Sequence, residues 1–402
     1  MLVPPPSISR SAKQVTAVGW VFNIGYLMLS FAIPLYAASR HFPIFTIALL
    51  TALPGVFLVL QRVLSGPFTA VFGEVRILRV SLGLAVLAGL APWVGYTSVM
   101  GLVAAQVFSG AMRGLFWTSA QSYITRLPGD IATRLGHFTG GANLGGLIGI
   151  VITGPLVGLV GYRAIFGLIT GIQVAALVLT VGLVSLAADR RHEQVLPALR
   201  RLPSLFRYST VWVAGGIALL AAVPQALVQS FYPLWVLHLT HSPTTASLVT
   251  ALRNVGTILG SFMAGRLLRW TGQRTGVLLG VGGMAAGIFL TGATNTSWLV
   301  AAALIATGFL SAPVAVLYLT LVVGAVADVD RASAIAVVNV FWSAAMLLVP
   351  LVFGVVSQIN GMGAAFQWLG VGLSCTLVPL ASARVWSRVS RERTTPATAP
   401  PA

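Results

Sequence analysis

Of 402 residues, 57% are hydrophobic and only 8% charged, and the mean hydropathy is +0.93. No soluble domain hides that much apolar surface with so little charge for its exterior, so a soluble fold is excluded. The net charge of +17 rests on arginines clustered between apolar runs; it reports membrane topology and anionic headgroups, not nucleic acid.

Twelve apolar runs are marked off by Gly, Pro and Arg clusters, roughly at 15–38, 44–64, 77–97, 99–123, 135–160, 164–187, 209–238, 244–268, 275–294, 297–324, 333–358 and 364–386. Each supplies the ~20 residues of a spanning helix, whereas barrel strands would alternate over ~10. The expected fold class is an all-α membrane protein with twelve transmembrane helices in two pseudo-symmetric six-helix bundles. The N-terminal bundle is expected over 1–187, a cytoplasmic central loop over 188–207, the C-terminal bundle over 208–388 and a disordered tail over 389–402. With the N-terminus inside, only Arg40 and Arg163 fall outside, and Arg113 and Arg253 fall within runs. Positive charge marks the cytoplasmic side, so both termini are expected there, in the cell membrane of a prokaryote. The opening Met1-Leu-Val-Pro-Pro-Pro lacks the order of a cleaved signal, and the first helix is expected to act as a retained anchor.

In the first run, Asn23, Tyr26 and Ser30 share a helical face. The seventh run carries Gln225, Gln229 and Tyr232. The two are related: Pro34–Gly73 aligns without a gap on Pro233–Gly272, a constant offset of 199, with Thr51-Ala-Leu53 on Thr250-Ala-Leu252 and Gly66 and Gly73 on Gly265 and Gly272. Extended upstream, that offset puts Tyr26 on Gln225 and Ser30 on Gln229. Polar residues at matching heights line a cavity or hydrogen-bond between helices; both readings stay open.

After the second run the chain reads Gly66-Pro-Phe-Thr-Ala70-Val71-Phe-Gly73-Glu74-Val-Arg76. Here it resembles the major facilitator superfamily of secondary transporters, whose loop signature is Gly, three residues, Asp-Arg, one residue, Gly, then basic residues. Gly66, Gly73 and Arg76 match, while Ala70 and Val71 stand in for the Asp and Arg. In the second copy Gly265, Gly272 and Arg274 fit, with Arg269 and Trp270 in the same two places. A tight glycine turn flanked by inside-positive charge accounts for the same residues.

The fourth run holds Arg113. Family members of drug-exporter character carry an arginine four residues before a glycine; Gln106 occupies that slot before Gly110, and Arg113 lies about two turns further along that face. In the fifth, Gly145, eight residues, Gly154-Pro155, two residues and Gly158 resemble the glycine-proline signature of exporters that exchange substrate for protons, with Leu159 replacing the final glycine. Small residues there let neighbouring helices approach closely. The eighth run buries Arg253 beside Asn254. A guanidinium at that depth costs about 2.5–3.5 kcal/mol unless it faces protein or water. The last run contains the only cysteine, Cys375, expected in core packing.

All seven carboxylates, Glu74, Asp130, Asp189, Glu193, Asp328, Asp330 and Glu392, fall between runs or in the tail. With two buried arginines and no membrane acid, a cavity of positive potential is expected, suited to a substrate carboxylate or phosphate. The five histidines have no metal-site spacing: His41, His238 and His241 are expected at the outer rim, His137 and His192 inside. No paired acids or Ser/His dyad lie within the runs, so no enzyme, cofactor or metal is expected. The resemblance implies alternating-access transport. The expected cargo is a small amphipathic molecule, anionic for preference and exported; the rival is uptake or exchange of a carboxylate or phosphate. Expected partners are this substrate, the lipid bilayer and a coupling proton or counter-transported anion, with the chain a monomer. The candidate substrate-binding residues are Arg113, Arg253, Asn254, Asn23, Tyr26, Gln106, Gln225, Gln229 and Tyr232. The candidate conformational residues are Gly66, Gly73, Gly265, Gly272, Gly145, Gly154, Pro155 and Gly158.

Overall fold

A computed structural model describes residues 6–127, 131–184, 206–323, 331–382 and 385–387. The expected tail, all of the central loop but Phe206 and Arg207, His192, and the carboxylates other than Glu74 lie outside them. The described residues are helical, without a strand: α1 (Pro6–Ser39), α2 (Ile44–Phe72), α3 (Glu74–Val94), α4 (Val99–Arg126), α5 (Ile131–Val178), α6 (Ser209–Val228), α7 (Phe231–Thr240), α8 (Pro243–Ala293), α9 (Ser297–Val323), α10 (Arg331–Asn360), α11 (Met362–Cys375) and α12 (Leu377–Ala381).

Ten stretches of the described chain are long and apolar enough to cross a bilayer. Two of them, of 42 and 51 residues, bend at Gly161 and Gly272. At 1.5 Å per residue they run about 60 and 75 Å, twice a ~30 Å hydrocarbon core, so each makes two crossings and the total is twelve.

One joint recurs four times. Gly73 (φ 81, ψ 148) separates α2 from α3, Gly161 (φ 75, ψ 167) bends α5, Gly272 (φ 76, ψ 165) bends α8, and Gly361 (φ 83, ψ 160) separates α10 from α11. This region of backbone space is essentially reserved for glycine, because a Cβ collides with the chain there. The joints follow the second, fifth, eighth and eleventh crossings, so they repeat within each half as well as between halves. Gly66 and Gly265 are different. Both lie inside helices, which corrects the expectation of glycine pairs bounding a polar loop. α2 stays helical through Gly66 as far as Phe72, with Thr69 Oγ1 donating to the Ser65 carbonyl (2.8 Å) on the way. In α8, which continues through Gly265, the Arg266 guanidinium lies over Trp270 (6.0 Å) and Thr271 Oγ1 donates to Leu267 O (2.9 Å).

The seventh run is broken where a single helix over 209–238 was expected. Pro233 has no N–H to give Gln229 O, and its ring crowds that carbonyl. Accordingly, α6 ends with Gln229 as its cap, Ser230 is non-helical (φ −136, ψ −76), and α7 starts anew at Phe231.

The chain forms two compact units. The first comprises Met1–Phe42, Val56–Val195 and Ser242–Leu248; the second comprises Pro43–Gly55, Leu196–His241 and Val249–Ala402. In the first, α1 packs along α5, and α3 along α4 and α5. The packing is close because a Cβ on Gly145 or Gly149 would strike the carbonyls of Trp20 or Ile24, and one on Gly154 would strike Pro243 O and Ser247. Gly158, by contrast, faces open space. In the second unit, α6 packs on α9 and α10, and α10 on α11. Cys375 is exposed at the end of α11 and takes no part in the core, contrary to expectation. On a spanning helix such an apolar outward face meets lipid.

Glu74 also departs from expectation. It is the first residue of α3, inside a crossing and 3% exposed. Its Oε1 accepts from Arg126 Nη1 (2.6 Å) and Ser122 Oγ (3.2 Å), both on α4, which is how a carboxylate survives at that level. A negative charge also suits a helix N-terminus.

Candidate functional site

The second unit holds the most buried cation among the described residues. Arg253 sits about 15 Å along the first limb of α8 at 1.5 Å per residue, well inside the bilayer core. It is 4% exposed, too deep to snorkel. Its partners come from three helices. Nη1 donates to Gln225 Oε1 on α6 (2.6 Å) and lies 3.5 Å from Asn254 Oδ1, while Nη2 lies 3.5 Å from Ser311 Oγ on α9. Every acceptor is neutral.

Three buried polar atoms here have no hydrogen-bond partner among the described residues: Arg253 Nε, Thr250 Oγ1 one turn before it, and Tyr232 Oη on α7. Tyr232 interacts electrostatically with Arg253. Its ring stacks on Phe366 (5.5 Å, 4°), which fixes the hydroxyl. Buried polar groups without partners are rare in a finished structure and mark a place for water or ligand. Gln229 is set at the break between α6 and α7, half-buried. Local packing holds the guanidinium in place: Gly308 of α9 lies flush against the Arg253 carbonyl, with no room for a Cβ.

The first unit has a second, differently built arginine. Arg113 is at the midpoint of α4, about 20 Å from either end, and 9% exposed. Its guanidinium carbon stands 5.2 Å from the centre of the Tyr26 ring, a cation–π contact. Phe22 supports Tyr26 (6.0 Å) and stacks on Phe116 (3.7 Å), one turn from Arg113. Gln106 is buried two turns before Arg113. Asn23 Nδ2 donates to Gly19 O (2.9 Å), one turn back within its own helix.

The sequence-derived residues thus sort into two clusters, Arg253–Gln225–Asn254–Tyr232 and Arg113–Tyr26. Thr250 and Ser311 escape a sequence reading because hydroxyls are common in spanning helices. Among the described residues no cluster of His, Cys, Asp and Glu has metal-site geometry.

The sequence matches the Major Facilitator Superfamily model over residues 15–239 and 214–401. No curated protein sequence matches. Among solved structures, a bacterial homologue of the human lysosomal transporter Spinster, inward-facing and occupied, superposes with a TM-score of 0.76 at 15% identity, over 98% of this chain and 100% of that one. A POT family transporter in complex with 5-aminolevulinic acid gives 0.78 at 11% identity, over 94% and 96%. The nucleoside transporter NupG gives 0.77 at 13%, over 94% and 98%. At such identities the likeness speaks for the fold alone.

Proposed function

The chain belongs to the major facilitator superfamily, and from that premise we propose that it carries a small amphipathic organic anion across the cell membrane by alternating access, in the direction of export. The observation that carries this reading is Arg253. Its acceptors among the described residues are all neutral, and its planar fork suits a carboxylate or phosphate. The partnerless Tyr232 Oη and Thr250 Oγ1 supply neutral donors beside it. Within the first unit, Arg113 with Tyr26 forms a separate cationic, aromatic surface. Export rests on the glycine-proline run of α5, in which Gly145 and Gly154 are close-packing positions. Uptake or exchange of a carboxylate or phosphate uses the same residues and differs only in direction. The arginine distribution supports cytoplasmic termini, and the monomer is the working unit. A coupling proton or counter-anion completes the cycle.

The test is a thermal-shift and uptake series on purified protein in liposomes. The probes are salicylate, citrate and glycerol 3-phosphate, set against the cation tetraphenylphosphonium and neutral xylose. At least one anion is expected to stabilise and be transported. Arg253→Gln should weaken it about 10–100-fold, since hydrogen bonds to charged groups contribute about 1.5–3 kcal/mol and 1.4 kcal/mol is tenfold. Binding of the cation or the sugar, unaltered by Arg253→Gln, overturns the anion assignment. Inside-out and right-side-out vesicles separate export from uptake.

A further inference from the structure

The first unit contains a cavity of about 600 Å³ that the transport reading does not use. It opens where α1 begins, α4 ends and α5 begins. Its polar lining is Lys13 and Thr16 on α1, and Arg134 and His137 one turn apart on α5. Among the described residues, no carboxylate lines it. The remainder is largely apolar, with Trp20 of α1, Ile124 of α4 and Leu144 of α5 continuing from the basic end along the helices. Trp20 and Leu144 are 39% and 51% exposed, so this wall is open to an apolar guest.

The level of the cavity decides what kind of guest. Candidate crossings begin at Arg10 and His137 and one ends at Arg126, so the three basic residues stand at the ends of spans, where bilayer headgroups lie. Trp20 lies seven residues, about 10 Å, beyond Lys13 along α1, toward the chain region of the bilayer. An inorganic anion has no use for the apolar half of this wall, and an uncharged lipid none for the basic half. An acidic glycerophospholipid uses both.

We infer that this cavity is a binding site for an anionic phospholipid, whose phosphodiester pairs with Lys13, Arg134 and His137 while an acyl chain lies along Trp20, Ile124 and Leu144. Such a lipid clamps the starts of α1 and α5 to the end of α4. The site is separate from Arg253, which belongs to the other unit, so either reading can fail without the other.

The experiment is native mass spectrometry of the full-length protein titrated with phosphatidylglycerol or phosphatidylcholine of identical chains, with melting followed in parallel. Wild type is expected to retain phosphatidylglycerol at least tenfold better than phosphatidylcholine. The exposed pair Lys13→Gln/His137→Gln, and separately Arg134→Gln, should each remove most of that preference without lowering the lipid-free melting temperature. Equal retention by wild type and both variants overturns the assignment. Displacement of phosphatidylglycerol by 10 mM inorganic phosphate also overturns it, since the site would then serve a free anion. Arg253→Gln should leave lipid retention unchanged.

Discussion

At Gly308 a single missing methyl group sets the distance between α8 and α9. Adding it directs a Cβ at the Arg253 carbonyl, with Thr257 N also only 3.0 Å away, and backbone cannot swing aside. Gly308→Ala should therefore lower stability by about 1–3 kcal/mol, the usual cost of overpacking. It should also weaken anion binding, because the residue it displaces carries the guanidinium. A melting curve and a ligand titration check both effects; an unchanged pair of values would mean the helices are looser than described. Arg253 itself was legible from sequence, as a charge has few reasons to stand inside an apolar run. Its surroundings were not. Tyr232 and Gln225 could be suspected from the repeat, but Thr250 and Ser311 carry ordinary hydroxyls whose lack of partners, or pairing across helices, exists only after packing.

At the scale of the element, the pairing of α3 with α4 through Glu74 and Arg126 makes an asymmetric prediction. Arg126 is about a third exposed (35%) and can reach water alone, whereas Glu74 cannot. Arg126→Gln, which strands the buried carboxylate, should cost more than Glu74→Gln: about 3 kcal/mol at the upper end against about 1 kcal/mol. The double substitution should recover most of the difference. Thermal melting of the three variants reads this directly, and equal losses would place Glu74 in contact with solvent. The pairing was hidden from sequence because the apolar run looked as though it began three residues later, which put Glu74 in a loop. Gly73 ends α2 so abruptly that Glu74 is already inside α3. The glycines misled in the opposite sense. Gly66 and Gly265 look like turn residues, yet α2 continues past Gly66 to Phe72 and α8 past Gly265 to its bend at Gly272.

For the whole molecule, the crossings were legible because twenty apolar residues have one solution in a bilayer. The internal repeat was visible at Gly73 and Gly272, but its recurrence at Gly161 and Gly361 was not, since glycine is too common in this chain (43 residues) for spacing alone to single them out. Backbone angles distinguish them. Gly272→Ala should destabilise by about 1–3 kcal/mol, whereas Gly265→Ala, helical and with nothing nearer than Arg269 Nη1 at 3.8 Å, should be neutral or raise stability by up to ~1 kcal/mol. The same contrast should hold for Gly161 against Gly158. Matching losses at Gly265 and Gly272 would remove the conformational distinction.

A link one residue long has no slack. Where Gly73, Gly161, Gly272 and Gly361 join successive crossings, the end of one rod is the start of the next, and neither can slide or twist by a turn without dragging its neighbour. The chain is therefore geared in pairs at four places. Any cycle that opens and shuts the protein must move those pairs as units and find its play in the other connections.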